Sequence, residues 1–262
     1  MVSDLSPIDT AKFVSAKRAL DFVESGMRLG LGTGSTAAWM VRILGEMVRE
    51  EGLKIVGVPT SERTAALAKE VGIQISTLDA VKWLDLTIDG ADEFDPALNL
   101  IKGGGGALLQ EKIVATASDQ MVVISDVSKE LETLGAFPLP IEVVCFGWET
   151  SKALIEEALM NVDVMGRTGT LRMNGERPFV TDEGHYILDF HMKRIAEPRK
   201  LALILNQIPG VVENGLFIDI CDTVVIGYGD GTVEVRDINS GTIEHEKIDV
   251  IERDNLFSDV AD

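Results

Sequence analysis

Four consecutive glycines, Gly103 to Gly106, follow Lys102 and precede a stretch with helical periodicity. A run of glycines is costly in conformational entropy, so it is seldom retained merely to make a bend. What such a run offers is a series of backbone N–H groups that can surround a negatively charged oxygen. The segment therefore predicts an oxyanion-binding loop with a cationic side chain at its entrance.

The carboxyl group best placed to move a proton is that of Glu111. On the helix predicted over Ala107–Ala117, it shares one face with Leu108 and Ala115, at spacings of three and four residues. We expect burial on this apolar face to desolvate the carboxyl group and raise its pKa, which suits a general base near neutral pH. The alternative from the pattern alone is a partly exposed helix glutamate paired with a lysine.

Acidic residues are concentrated in the segment Asp89-Gly90-Ala91-Asp92-Glu93, directly after an apolar strand-like run. A metal site is one interpretation, but the three histidines lie far off in sequence, so we expect no metal here. A solvated turn is the second interpretation. The third makes Asp89 and Asp92 hydrogen-bond acceptors for sugar hydroxyls, or acid and base groups.

A second glycine-rich turn, GLGTGST (30–36), joins a predicted strand to a predicted helix. The helix start offers free N–H groups to an anion, and Ser35 and Thr36 add hydroxyl donors. A dinucleotide-binding fingerprint would need glycine where Ser35 stands, and an acid after the next strand, which ends instead in VPT (58–60). The turn favours a phosphate monoester site over a dehydrogenase, with a purely structural tight turn as the alternative.

Strands and helices must position these loops, and they alternate over the first half of the chain. This alternation predicts βαβ units and a parallel sheet covered by helices, with ligands bound at the carboxyl ends of its strands. The predicted strands are Met27–Gly32, Leu53–Val58, Leu84–Asp89 and Met121–Ser125, and the predicted helices are Ser35–Met47, Ser61–Lys69 and Ala107–Ala117. After Pro140, hairpin signals and two helical segments predict a small α+β domain. The acid-rich stretch Ile238–Asp262 is predicted to be a solvated tail or a loose extension.

Composition excludes several classes of protein. The 262 residues include 24 Lys and Arg against 43 Asp and Glu, a net charge of −19, so binding to nucleic acid or to an anionic membrane is disfavoured. No apolar run is long enough to span a bilayer, and the N-terminus lacks a signal-peptide pattern. Cys145 and Cys221 are predicted to be buried free thiols of a reducing compartment. We therefore expect a cytoplasmic protein.

Taken together and in order, eight segments resemble type A ribose-5-phosphate isomerase. The resemblance covers most of residues 10–235, and the ordered set is far more specific than any one motif. The segments are GLGTGSTA (30–37), VPTSERT (58–64), DGADE (89–93), IKGGGGALLQEKIVA (101–115), SDVSK (125–129), FPLPIEV (137–143), VTDEGHYILD (180–189) and IPGVVENGLF (208–217).

The resemblance implies an aldose–ketose isomerase of the pentose phosphate pathway that interconverts D-ribose 5-phosphate and D-ribulose 5-phosphate without a cofactor or metal. It implies an α/β fold in which a Rossmann-like parallel-sheet domain is joined by a smaller ferredoxin-like α+β domain, usually in homodimers or homotetramers. The corresponding predicted domains are 1–138 with 214–236 for the first, 139–213 for the second, and 237–262 as an acidic extension.

The resemblance also assigns roles to individual residues. It makes Glu111 the proton-transferring base, and the chemistry of a cis-enediol intermediate adds Lys102 as an electrostatic stabiliser and Asp89 as the group that opens the sugar ring. The predicted substrate-binding residues are Thr33, Gly34, Ser35, Thr36, Asp89, Gly90, Ala91, Asp92, Lys102, Gly103, Gly104, Gly105 and Lys129. Two alternatives on the same fold are a sugar-phosphate sensor and a protein like coenzyme A transferase.

Overall fold

The structure is a computed structural model and describes residues 5–248. Contacts divide these residues into two compact units. The first unit comprises 5–90, 114–128 and 222–248, and the second comprises 91–113 and 129–221. The predicted α+β domain, 139–213, lies wholly within the second unit. Three segments that we expected in the first domain also group with the second unit: 91–113, 129–138 and 214–221.

Seven α-helices and sixteen strands are present among the described residues. The helices are α1 (Pro7–Ala19), α2 (Ser35–Glu46), α3 (Glu62–Glu70), α4 (Leu78–Val81), α5 (Leu108–Thr116), α6 (Trp148–Ala158) and α7 (Pro198–Leu205). The strands are β1 (Arg28–Leu31), β2 (Val56–Pro59), β3 (Leu86–Gly90), β4 (Glu93–Phe94), β5 (Leu100–Ile101), β6 (Met121–Asp126), β7 (Leu139–Val143), β8 (Gly169–Leu171), β9 (Met173–Asn174), β10 (Arg177–Pro178), β11 (Tyr186–Phe190), β12 (Val211–Asn214), β13 (Leu216–Phe217), β14 (Thr223–Gly227), β15 (Thr232–Asp237) and β16 (Ile243–Lys247).

The first unit is built on a seven-stranded sheet in the order β16-β15-β14-β6-β3-β1-β2. The five strands from β14 to β2 are parallel, and β15 and β16 add an antiparallel edge. Every residue of β6 and β14 is buried, as expected for strands covered on both faces. Between α1 and α2, the rings of Phe13 and Trp39 meet edge to face at 5.6 Å. This unit confirms the predicted α/β class with a mostly parallel sheet.

The register of β1 and β3 places two predicted loops side by side. Leu31, the last residue of β1, pairs with Ile88 of β3, and β3 continues to Gly90. The Gly32 N–H donates to the Ile88 carbonyl at 3.0 Å, which extends the pairing by one residue. Thr33, two residues after the end of β1, and Asp89, within β3, are therefore neighbours.

The second unit contains a four-stranded antiparallel sheet in the order β12-β7-β11-β8. With α6 and α7 between its strands, the chain runs β7-α6-β8-β11-α7-β12, which is the ferredoxin-like arrangement. Its core includes Ile141, Leu188, Phe190 and Leu201, all fully buried. A separate three-stranded sheet has the order β13-β5-β4, and its central strand β5 ends at Ile101, directly before Lys102.

Two expectations about local structure are wrong. Ile243–Lys247, placed in a solvated tail, forms β16 and pairs with β15, although all five residues stay exposed; 249–262 lie outside the described residues. Cys145 is exposed rather than buried, because β7 ends at Val143 and the chain turns outward there, leaving Phe146 93 % exposed. Cys221 is buried, and both cysteines are free thiols.

Residues 5–248 include no helix with the length and apolar character needed to cross a membrane.

Candidate active site

In the first unit, Asp89 organises the loop that follows β1. Its Oδ1 accepts hydrogen bonds from the Thr33 N–H at 3.0 Å and the Gly90 N–H at 2.7 Å. Asp89 is completely buried. A Cβ on Gly32 would lie 2.2 Å from that same oxygen, so glycine is required for the close approach. The arrangement holds a carboxylate against the backbone of the predicted phosphate loop.

The hydroxyl group of Thr33 points into the protein, where three further hydroxyl groups surround it. Its Oγ1 lies 2.8 Å from Thr60 Oγ1, 2.8 Å from Ser61 Oγ and 3.1 Å from Thr64 Oγ1. Thr64 in turn donates to the Gly32 carbonyl at 3.0 Å. These hydrogen bonds hold the loop after β1 in place on the side that faces the interior of the protein. Three hydroxyl residues after a strand in VPTSERT (58–64) were the available signal, but sequence reasoning assigned them no role.

The start of α2 supplies the open end of this loop. Gly34 is the residue before the helix, with φ +117° and ψ 174°, a conformation that favours glycine, and no side chain caps the helix. Ser35 is exposed and Thr36 half-buried. The first-turn N–H groups and these two hydroxyl groups therefore form a site suited to an anion.

In the second unit, Glu111 and Lys102 form a buried ion pair. Lys102 Nζ lies 3.3 Å from Glu111 Oε1, and the two side chains are 2 % and 6 % exposed. The predicted face of α5 is confirmed, since Leu108, Glu111 and Ala115 are all buried. The structure combines features of the two interpretations of Glu111: the residue is buried, and it is paired with a lysine. Burial of both charges requires the pairing, because an isolated buried charge is very costly.

A second lysine, Lys112, lies beside this pair and is half-buried. Lys112 Nζ donates to Glu213 Oε1 at 2.7 Å and to the Asn214 carbonyl at 2.6 Å. The Phe217 ring has Lys112 Nζ 4.9 Å and Lys102 Nζ 5.5 Å from its centroid, both within cation–π range. Burial lowers the pKa of Lys112, and the ion pair with Glu213 opposes that shift. These contacts tie α5 to β12 and β13 next to Glu111.

Two of the four N–H groups of the glycine loop donate hydrogen bonds within the protein. The Gly104 N–H donates to Asp92 Oδ2 at 2.7 Å, and the Gly106 N–H donates to the Gly103 carbonyl at 3.0 Å. Within residues 5–248, the N–H groups of Gly103 and Gly105 have no acceptor in the protein. We expected the N–H groups of the whole glycine run to surround an oxyanion. In the described part of the chain, only those of Gly103 and Gly105 remain available for that role. Gly103 and Gly106 have φ of +105° and +83°, which accounts for glycine at both positions.

The remaining predicted residues lie apart from these clusters or at their margins. Gly90 and Ala91 are half-buried and connect Asp89 to Asp92 in the chain. Lys129 ends a short 3₁₀ turn after β6, and in the described part of the chain it makes no hydrogen bond or ion pair with the glycine loop. Lys129 affects the titration of Glu93 by its charge. The pKa of Glu93 is raised, chiefly by burial, while hydrogen bonds from the N–H groups of Gly135 and Phe137 and the charge of Lys129 oppose that shift.

No three or more His, Cys, Asp and Glu side chains within residues 5–248 are grouped so that they could hold a metal ion.

The sequence model of the family described as ribose 5-phosphate isomerase A (phosphoriboisomerase A) matches residues 56–231. The chain belongs to this family. Among curated ribose-5-phosphate isomerase A proteins, that of Ruegeria sp. (strain TM1040) is 76 % identical and that of Ruegeria pomeroyi 72 % identical, each over the full length of both chains.

Solved ribose-5-phosphate isomerases have the same fold. One in complex with phospho-erythronic acid is 39 % identical with a TM-score of 0.79, and that from Methanocaldococcus jannaschii is 38 % identical with a TM-score of 0.78. Each alignment covers 92 % of this chain and 99 % of the other. The chain is an isomerase, and neither the sugar-phosphate sensor nor the coenzyme A transferase alternative is favoured.

Proposed function

We propose that this chain interconverts D-ribose 5-phosphate and D-ribulose 5-phosphate through a cis-enediol, as a step of the non-oxidative pentose phosphate pathway. The observation that carries the catalytic assignment is the buried Glu111 carboxylate, 3.3 Å from the Lys102 ammonium at the entrance to the glycine loop. One base is enough for this reaction, because the two carbon atoms that exchange the proton are adjacent.

The proton transfers balance as follows. Glu111 takes the proton from C2 of the open-chain aldose, the electron pair forms the C1–C2 double bond, and O1 becomes the enediolate oxygen. Protonated Glu111 then delivers its proton to C1, while the proton on O2 passes to O1, which leaves the ketone at C2. Lys102 and the free glycine N–H groups supply the positive potential that the enediolate requires.

The phosphate group has its natural place at the start of α2. The uncapped helix N-terminus and the hydroxyl groups of Ser35 and Thr36 match the charge and the hydrogen-bonding needs of a phosphate monoester. Binding energy gained there, away from the reacting carbons, positions the sugar for proton transfer. Because the net charge of the protein is −19, such local donors are essential for an anionic substrate.

The two aspartates have separate roles in this proposal. Asp89 takes or relays the hydroxyl proton when the cyclic sugar opens, a step that a buried carboxylate held by backbone N–H groups can serve. Asp92 contacts substrate hydroxyl groups and also orders the glycine loop through Gly104. Lys129 is assigned a substrate contact on the resemblance alone.

A relative of this chain has been solved with phospho-erythronic acid. That compound combines a phosphate with a carboxylate, whose two oxygens share a negative charge as those of an enediolate do. The ability of the relative to bind it supports an anionic intermediate for this chain as well. We further propose a cytoplasmic homodimer or homotetramer, which light scattering of the purified protein distinguishes from a monomer.

Isomerisation in D₂O tests the proposed reaction. With ribose 5-phosphate and EDTA present, we expect deuterium at C1 of the ketose, because the proton on Glu111 exchanges with solvent while the enediol exists. NMR of the product measures the incorporation. No isomerisation, or activity that requires added metal, would contradict the proposal.

A further inference from the structure

A single arginine of the second unit contacts the glycine loop on its carbonyl side. Arg172 Nη1 donates to the Gly103 carbonyl at 2.8 Å and to the Gly104 carbonyl at 3.1 Å. These bonds join residues 69 and 68 positions apart in the chain. The Arg172 side chain is 15 % exposed. One guanidinium nitrogen therefore donates hydrogen bonds to the carbonyl groups of two successive residues of the loop.

The guanidinium group is itself held in a fixed orientation. Asp189 accepts two of its hydrogen bonds, from Nε at 2.9 Å and from Nη2 at 2.5 Å. The Phe179 ring lies 5.9 Å from the centre of the guanidinium group, and the same ring packs so closely on Gly106 that a Cβ there would lie 2.5 Å from it. Asp189, on β11, is part of the four-stranded sheet, so the loop is anchored to a rigid element.

Because the peptides of the loop are trans, the hydrogen bonds that Arg172 makes to their carbonyl groups also determine where their N–H groups point. In a trans peptide the C=O and the following N–H point in opposite directions. With both carbonyl groups turned to Arg172, the N–H groups of Gly104 and Gly105 are directed away from the guanidinium. Asp92 accepts the first of them at 2.7 Å. The second, that of Gly105, is one of the two loop N–H groups without an acceptor among residues 5–248.

A permanent positive charge on the carbonyl side also strengthens the donor. A hydrogen bond accepted by a C=O polarises the peptide and makes its N–H a better donor. Arginine supplies two parallel bonds to Asp189 while it serves the loop, and lysine has no equivalent planar set of donors.

We propose that Arg172 is a positioning residue of the isomerase reaction. It orients the Gly103–Gly104 and Gly104–Gly105 peptides so that the Gly105 N–H donates to the enediolate oxygen. The inference rests on the proposed function, since it needs the glycine loop to serve the intermediate, and it adds a residue that contacts neither the substrate nor the reacting atoms.

Steady-state kinetics of Arg172→Gln and Arg172→Lys test the inference. We expect Arg172→Gln to lower kcat about 10- to 100-fold, up to the loss seen when one oxyanion donor is removed, with KM changed less than about threefold. Arg172→Lys should recover only part of kcat, because it restores the charge but not the fork of donors. The matched control is Arg194→Gln, which breaks an arginine–aspartate pair of 2.5 Å in the same unit, and which should leave kcat unchanged.

Three results would overturn the inference: an unchanged kcat in Arg172→Gln, a rise of KM alone, or an equal fall in the Arg194→Gln control. If Arg172→Gln does not fold, Asp189→Asn replaces it, because it loosens the guanidinium but leaves it present. A smaller fall of kcat at constant KM is then expected, and an unchanged kcat rejects the inference. An inactive wild-type chain would refute the proposed function instead, while an active wild type with a fully active Arg172→Gln rejects this inference alone.

Discussion

At the scale of single residues, the proposed chemistry depends on one buried pair of opposite charges. Glu111 would be too costly to bury in its charged form without Lys102, and the reverse holds for the lysine. Their separation of 3.3 Å leaves the carboxylate close to a positive charge that can also serve the substrate. The same two groups thus meet a requirement of folding and a requirement of the reaction.

Replacing the proposed base tests this pair directly. We expect Glu111→Gln to lower kcat by roughly 10²–10⁴, the usual contribution of a general base, because an amide cannot accept the C2 proton. Substrate binding should be largely retained, which KM and equilibrium titration measure. Near-normal turnover in this variant would refute the assignment.

A double variant separates lost chemistry from lost stability. Glu111→Gln alone leaves the Lys102 ammonium buried without its carboxylate, so its thermal unfolding midpoint should fall. Glu111→Gln combined with Lys102→Met removes both charges and should regain stability without regaining turnover. Recovery of turnover in the double variant would mean that Glu111 acts only through folding.

At the scale of elements, adjacent strand ends and close backbone contacts place the loops. β1 ends level with Ile88 of β3, so the loop after β1 and Asp89 of β3 meet although they are far apart in sequence. Gly32 makes that meeting possible because it has no Cβ. The close packing of the loop against Asp89 is a feature that a single methyl group can test.

The variant Gly32→Ala should displace Asp89. Its Cβ would lie 2.2 Å from Asp89 Oδ1, a distance that forces the carboxylate or the loop to move. If Asp89 opens the sugar ring, kcat/KM should fall at least about tenfold, as for a small misplacement of a catalytic group.

The control for backbone strain is Gly52→Ala. Gly52 has φ +72° and open space around it, so alanine there costs about 1–2 kcal/mol of stability without touching the loop. Its turnover should equal that of the wild type. Equal kcat/KM in Gly32→Ala and the wild type would remove the Asp89 contact from the proposal.

At the scale of the whole molecule, a strongly acidic chain nevertheless buries several charged groups. Besides the Lys102 pair, the second unit buries Glu142, whose Oε1 accepts from Thr181 Oγ1 at 2.9 Å and lies 2.9 Å from His185 Nδ1. Burial raises the pKa of Glu142, and the hydrogen bonds from His185 and Thr181 oppose that shift without cancelling it. The free energy of unfolding should therefore depend on pH through this residue.

The sign of that dependence follows from the raised pKa. Folded Glu142 holds its proton more tightly than unfolded Glu142, so its contribution to stability is fully present below the ordinary carboxyl pKa and is lost as pH rises through the raised folded pKa. Glu142→Gln has no carboxyl group at this position, so the variant does not lose stability in this way as pH rises. The free energy of unfolding of Glu142→Gln, relative to wild type, should increase as pH rises across that window.

Urea unfolding at a series of pH values measures the difference. The matched control is Glu157→Gln, which makes the same substitution at an exposed position of α6 in the same unit. A constant or falling difference for Glu142→Gln would show that burial does not govern the titration of Glu142.

Local patterns were sufficient for much of the fold. Short apolar runs predicted β1, β2, β3 and β6, and helical spacing predicted the buried face of Glu111, because strand and helix periods act between neighbours in the chain. The α/β class and the family are confirmed. Errors arose where the local pattern was weak: exposed β16 has no apolar alternation, and the apolar run around Cys145 continues past the end of β7.

The sequence by itself determined which residues could do chemistry: the glycine loop, Glu111, Lys102 and the two aspartates. Only the tertiary structure decided how they are held. Three sets of contacts join residues from 12 to 69 positions apart: the Thr33 hydroxyl cluster, the hydrogen bond of Asp92 with Gly104, and the hydrogen bonds of Arg172 to the loop. Such contacts depend on strand order and register, which bring distant segments together and leave no periodic signal in the chain.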